Sequence, residues 1–230
     1  MAAKNKFSTV KSKPAKSRIV VVEDHPVFAE GLVRLIDGEA DMEVLEKVAD
    51  GAKALGVIRR LKPDLALVDL GLPNKSGLEV IKQVRAAKLP VKLLVVSMYD
   101  EALYAQRVLQ AGGDGYIMKQ EDPPEIINAI RDVLAGRIYV SEEVLANGAS
   151  PAAPAAAAPV SELDKLSDTE LEILEWLGKG RSNEEIAGQI RLKDAREVAA
   201  KLNQIQLKLN LTSLNALIRY AVCWVESPAN

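Results

Sequence analysis

Five side chains in the first half of the chain could share one piece of chemistry. Glu23 and Asp24 follow an apolar run (Ile19-Val20-Val21-Val22), and Asp69 follows Leu65-Ala66-Leu67-Val68. Ser97 ends the run from Lys92 to Val96, and Lys119 ends Gly115-Tyr116-Ile117-Met118. Each residue alone has a bland reading: a helix cap for Ser97 or Asp69, a surface charge for Lys119, a loop acid for Glu23-Asp24. Five such groups at successive strand ends are harder to ascribe to accident. Three carboxylates brought together repel one another unless a cation sits among them, and an all-oxygen set with room for water suits Mg2+. A hydroxyl and an ammonium facing such a set suit a phosphoryl group, which carries about −1.5 to −2 charges at neutral pH.

The elements that must position these groups alternate between short apolar runs and helical patterns. Strands over Ile19–Val22, Met42–Val48, Leu65–Val68, Lys92–Val96 and Gly115–Met118 are separated by helical stretches. The helices run over Pro26–Asp37, Ala52–Leu61, Gly77–Ala87 and Glu101–Ala111, with a fifth over Pro124–Leu134. This alternation predicts βαβ units and one doubly wound parallel sheet. If the strand order is 2-1-3-4-5, strands one, three, four and five are neighbours. Their carboxyl ends then open on one crevice, where open α/β sheets bind ligands. Gly71, Pro73 and Gly77 break the chain after Asp69 and expose that strand end.

After Asn147 the composition changes. Asn147–Val160 (NGASPAAPAAAAPV) is an Ala/Pro linker whose prolines disfavour a continuous helix. Beyond it, strand character disappears. Ser167 with Glu170, and Ser182 with Glu185, have capping-box spacing at two helix starts. A third helix over about Ala195–Lys208 carries Val198, Leu202, Ile205 and Leu209 on one face, and a fourth covers Leu214–Val225. The expected organisation is a flexible basic tail over 1–17, an α/β domain over 18–140, a linker over 141–162 and a small all-α four-helix domain over 163–230.

Composition narrows the function classes. Hydrophobic residues make up 48% of the chain and aromatic residues 4%, which suits aliphatic cores. The net charge is −2, so composition alone announces no nucleic-acid partner. The single cysteine, Cys223, rules out an internal disulfide framework and fits a reducing compartment. No apolar run approaches the roughly 18–20 residues needed to span a bilayer, and the amino terminus lacks an apolar signal core. The expected location is the cytoplasm, with no membrane partner.

The motifs VVVEDHP, LVDLGLPNKSGLE, VVSMYDE and AGGDGYIMK make residues 18 to about 137 resemble the flavodoxin-like receiver domain of two-component response regulators. The resemblance implies that Asp69 takes a phosphoryl group from a histidine kinase. It implies Mg2+ held by Asp24, Asp69 and the backbone carbonyl of Gly71, with Glu23 acting directly or through water. Ser97 and Lys119 would bind the phosphoryl oxygens, and Tyr116 occupies the aromatic switch position. Tyr99, two residues after Ser97, is expected to hang over the site and slow hydrolysis. His25 stands where the family often has a His-Pro pair, a loop role.

Residues 166 to 225 resemble the NarL/LuxR-type helix-turn-helix output domain, through LSDTELEILEWLGKG, SNEEIA and TSLNALIRYAV. The resemblance implies that the third helix enters the DNA major groove and that the fourth supports a homodimer, formed on phosphorylation. The chain departs from the pattern where DNA contact is expected. Glu197, Ala199 and Lys201 stand where the family usually has Thr, Lys and His. From Val160 onward nine Lys/Arg face eleven Asp/Glu, a net −2. The candidate contacts are Lys193, Arg196, Lys201 and Lys208. The expected function is a phosphorylation-switched transcriptional regulator. The alternative is a response regulator whose output domain acts by protein–protein contact. An enzyme turning over a separate substrate fits less well. An aspartate-nucleophile phosphatase of the haloacid-dehalogenase type wants a second Asp two residues after the first, and that position is Gly71. Phosphotransfer onto its own Asp69 would be the only chemistry.

Overall fold

The computed structural model describes residues 16–99, 101–142, 144 and 162–226. Five parallel strands, β1 (Ser17–Val22), β2 (Met42–Val48), β3 (Leu65–Val68), β4 (Lys92–Ser97) and β5 (Gly115–Met118), form one sheet in the order β2-β1-β3-β4-β5. This is the expected doubly wound sheet. The intervening helices are α1 (Pro26–Asp37), α2 (Gly51–Leu61), α3 (Gly77–Ala86), α4 (Glu101–Gln110) and α5 (Pro123–Leu134).

Layering explains the strand sequences. Ile19 and Val21 join a core with Leu32 and Ile36 of α1 and Ile126 and Ile130 of α5. Val20 and Val22 face the other way, into a core with Ala54 and Ile58 of α2, Val84 of α3 and Val108 of α4. A strand covered on both faces has no solvent side, so it reads as a continuous apolar run. β2, at the sheet edge, buries only its end residues Met42 and Val48 and leaves Glu43 and Lys47 exposed.

Helix boundaries follow local chemistry. Asp50 caps α2 by accepting from the Ala52 amide at 2.8 Å, so that helix begins at Gly51, one residue before its apolar pattern. Ser76 caps α3 in the same way through the Glu79 amide. The start of the sheet differs from the expected domain limit. Ser17, assigned to the tail, pairs with Met42, and Lys16 donates to the Met42 carbonyl at 2.9 Å. Residues 1–15 and the Ala/Pro segment 147–160 lie outside the described residues.

The carboxyl-terminal part contains a 3₁₀ turn (Glu162–Lys165) and four helices, α6 (Asp168–Gly178), α7 (Asn183–Gln189), α8 (Ala195–Lys208) and α9 (Leu214–Glu226). Both expected capping boxes are present, at Ser167/Glu170 and Ser182/Glu185. Val198, Leu202 and Ile205 of α8 are buried against Leu171 and Leu174 of α6 and Leu217 and Ala221 of α9. Gly178 permits the close crossing of α6 and α9, since a Cβ there would stand 2.4 Å from the Ala221 carbonyl oxygen.

The helical module sits on the sheet domain through α3 and α4. Arg107 of α4 donates to the carbonyls of Leu163 and Leu166, at 2.5 and 3.1 Å, and lies 3.4 Å from Asp168. Lys82 of α3 also meets Asp168, at 3.3 Å.

Candidate functional site

The crevice at the carboxyl end of the sheet gathers the residues singled out by their spacing. Asp69 follows β3 directly, with its amide donating to the Val22 carbonyl at 2.9 Å, and is only 4% exposed. That bond continues the β1–β3 pairing one step and brings Asp69 beside Glu23 and Asp24. Behind it, Gly77 opens α3 so close that a Cβ would stand 2.1 Å from the Asp69 carbonyl oxygen. The Gly-Leu-Pro turn and Gly77 therefore hold the acid at the strand end with no side chain between helix and strand.

Lys119 is the positive centre of the site. Its ammonium lies 2.9 Å from Asp69 Oδ2 and 2.7 Å from Glu23 Oε2, with the side chain almost wholly buried. The Phe28 ring of α1 lies beneath the ammonium, 4.8 Å to its centroid, adding a cation–π contact. Glu23 turns its other oxygen toward His25, accepting from the His25 amide and standing 2.9 Å from Nδ1. The loop role expected for His25 agrees with these contacts.

Asp24 is different. Both of its carboxylate oxygens are buried and neither accepts a hydrogen bond, although His25 Nδ1 lies 3.2 Å from one and Arg191 forms an ion pair with the other. Oxygens of Glu23, Asp24 and Asp69, with a ring nitrogen of His25, lie within 4.8 Å of one another. Buried carboxylate oxygens without donors are costly, and a hard divalent cation supplies what they lack. The residues present therefore fit Mg2+, with Glu23, Asp24 and Asp69 as oxygen donors.

On the opposite wall, Ser97 is fully buried at the end of β4, and its hydroxyl oxygen accepts from the Tyr99 amide at 3.3 Å. The Lys119 amide donates to the Ser97 carbonyl at 2.8 Å, locking β4 and β5 ends together. Tyr116 is fully buried. Its hydroxyl donates to the Tyr99 carbonyl at 2.7 Å. Tyr99 stacks on Tyr104 of α4, centroids 5.0 Å apart. Its hydroxyl stands 3.5 Å from where a Gly71 Cβ would be, and Asp69 Oδ2 is 3.8 Å from the same point. Tyr99 and Asp69 thus both approach the space beside Gly71. Burial pushes the Tyr99 and Tyr116 hydroxyls well above their ordinary range, so both remain protonated donors.

Several site neighbours carry no signal in sequence spacing. Phe28, Tyr104, Glu172 and Arg191 reach the crevice or its rim only through packing. Glu172 of α6 is buried, and its carboxyl is pushed up to about 8 by that burial and by Asp168, Glu175 and Asp69.

The four cations proposed for the helical module are spread unequally. Lys193 and Arg196 are exposed before and at the start of α8, and Lys201 is half-buried. Asp194 caps the helix by accepting from the Arg196 and Glu197 amides. Lys208 is already engaged, 2.5 Å from Glu170 Oε2 on α6, because the last turn of α8 crosses the start of that helix.

Comparison with known proteins agrees with this geometry. The family model described as the response regulator receiver domain matches residues 19–131, and that of bacterial regulatory proteins of the luxR family matches residues 164–221. A Pseudomonas aeruginosa protein named as a transcriptional regulator is 36% identical over 205 residues, covering 89% of this chain and 97% of that protein. The transcriptional regulatory protein NarL of Mycobacterium tuberculosis is 32% identical, covering 91% of this chain and 95% of that protein. The solved receiver domain of that NarL covers 54% of this chain and all of its own, at 38% identity and a TM-score of 0.52. The chain belongs to the two-component response regulators with a LuxR-type DNA-binding domain. It is a regulator of transcription, and the protein–protein alternative for its output domain receives no support from these relatives. Among the described residues, no helix is long and apolar enough to cross a membrane.

Proposed function

We propose that Asp69 is the phosphoacceptor of this regulator, taking the phosphoryl group from a histidine kinase. The observation that carries this reading is the buried Asp69 carboxylate. It is held 2.9 Å from the Lys119 ammonium beside Asp24, whose buried oxygens accept no hydrogen bond. Phosphoryl transfer asks the protein mainly for position and charge neutralisation. Glu23, Asp24, Asp69 and the Gly71 carbonyl would hold Mg2+, which when bound offsets negative charge on the incoming phosphoryl oxygens. One Asp69 oxygen attacks phosphorus, an O–P bond forms, the P–N bond breaks, and the kinase imidazole leaves. Lys119 then trades its contact with the free carboxylate for phosphoryl oxygens. The Ser97 hydroxyl would bind another phosphoryl oxygen. Tyr99 excludes water from the phosphoryl face, and Tyr116 ties its backbone to the end of β5. Turnover of a separate substrate forms no part of the proposal.

The output is DNA binding by α8, with Lys193, Arg196 and Lys201 facing phosphates or bases and Lys208 held by Glu170, as a phosphorylation-dependent homodimer. The receiver would span about 18–140, the linker 141–162 and the output domain 163–230. Val144 extends the receiver's packing slightly, since it is buried in the same core. A kinase and DNA as partners favour a cytoplasmic location. Incubation with a small-molecule phosphodonor and Mg2+, followed by mass measurement, tests the reading. The expected result is one added phosphoryl group, lost in Asp69→Asn. Labelling that survives Asp69→Asn would sink it.

A further inference from the structure

The acidic crevice draws positive charge from two separate places. Lys119, inside the receiver, serves Glu23 and Asp69. Asp24 is met from the output domain, where the Arg191 guanidinium forms an ion pair with its Oδ2. The Asp24 side chain is 4% exposed and that of Arg191 45%. A half-solvated arginine thus reaches down onto a buried carboxylate whose oxygens accept no hydrogen bond. The contact is an ion pair without hydrogen-bond geometry.

The position of Arg191 gives the contact meaning. It lies between α7 and α8 in the left-handed region, φ 56°. Asp194, three residues on, caps α8. Seating Arg191 on Asp24 therefore holds the entrance of the DNA-reading helix against the phosphorylation site.

We propose that Arg191 is a built-in stand-in for the divalent cation, so that Mg2+ and this docking contact compete for Asp24. The inference rests on the reading of Asp24 as a metal ligand. An oxygen that coordinates a divalent ion cannot also hold a guanidinium at contact distance, and the two cations repel in a poorly screened crevice. Metal loading then requires Arg191 to leave. The apparent metal affinity falls by the fraction of molecules in which Arg191 is seated. By reciprocity, Mg2+ favours release of the α8 entrance before any phosphoryl group arrives.

Calorimetric Mg2+ titration of the full chain tests this in wild type, Arg191→Gln, Arg191→Lys and Arg181→Gln. Arg181 is an exposed cation of the same domain paired with Glu185, so it controls for a general loss of positive charge. Arg191→Gln is expected to bind Mg2+ about 5- to 50-fold more tightly, Arg191→Lys to fall between it and wild type, and Arg181→Gln to match wild type. Small-angle scattering is expected to show expansion of wild type on adding Mg2+, and a much smaller change for Arg191→Gln. Equal affinity in wild type and Arg191→Gln, with unchanged circular dichroism, overturns the proposal and leaves the metal reading standing. An equal gain in Arg181→Gln also overturns it. Binding by none of the four proteins overturns the metal reading and this inference together.

Discussion

Lys119 stands 2.9 Å from Asp69, and each side chain is only 5% exposed. The pair joins the end of β5 to the end of β3 across the crevice, with Glu23 as a third member at 2.7 Å. Removing one member of a buried ion pair leaves the rest uncompensated, at a cost of about 3–5 kcal/mol. Lys119→Met should therefore lower the urea-unfolding free energy by about that amount in EDTA, with part recovered on adding Mg2+. A variant as stable as wild type in EDTA would mean the ammonium contributes no net stabilisation.

The Tyr99 hydroxyl approaches the space beside Gly71 that Asp69 also borders, and the residue is braced by Tyr104 and by the Tyr116 hydroxyl. Tyr99→Ala should open the phosphoryl face to water and shorten the lifetime of phosphorylated Asp69 several-fold. Tyr116→Phe removes one hydrogen bond to the Tyr99 carbonyl, worth about 1 kcal/mol, and should shorten it less. Mass-resolved decay after removal of the phosphodonor gives both lifetimes, and an unchanged lifetime in Tyr99→Ala would refute the shielding role.

Glu172 makes stability depend on pH. Its carboxyl is raised from the ordinary 4.5 to about 8, by burial first and then by neighbouring acids. The folded chain thus holds a proton that the unfolded chain releases, so stability falls as pH climbs from about 4.5 toward 8. At pH 5 Glu172→Gln should match wild type, because the glutamate is already neutral. At pH 8 the variant should be more stable by at least about 1 kcal/mol. Urea unfolding at the two pH values decides it, and a gain at pH 5 equal to that at pH 8 would rule out ionisation as the cause.

On α8 the cations should separate by role. Arg196 is exposed at the helix start, so Arg196→Ala should weaken binding to a promoter fragment by about tenfold or more and flatten the salt dependence. Lys208 is held by Glu170, so Lys208→Ala should act mainly on thermal stability of the helical domain. Fluorescence anisotropy at two salt concentrations, with thermal melts of each variant, separates the effects. The assignment fails if Lys208→Ala weakens DNA binding more than Arg196→Ala.

The sequence by itself determined the sheet, its helices and the contents of the crevice. Strands buried on both faces must be apolar runs, and the parallel doubly wound arrangement sends every strand's carboxyl end to the same edge. Glu23, Asp24, Asp69, Ser97 and Lys119 were therefore legible from position alone. So were the caps at Ser167 and Ser182, because a helix start is a local problem solved within four residues. The tertiary structure alone decided which partner each charge takes. Lys208 reads as a free cation in the sequence, yet it closes onto Glu170 because α8 crosses α6 there. Phe28 and Tyr104 look like ordinary core residues until packing sets them under Lys119 and Tyr99. Arg191 is more than 160 residues from Asp24 in the chain, and its spacing carries no sign of that carboxylate. Periodicity and capping report what a segment does with its neighbours in sequence. Buried charges choose partners by which surfaces meet, and that is settled only when the two domains pack.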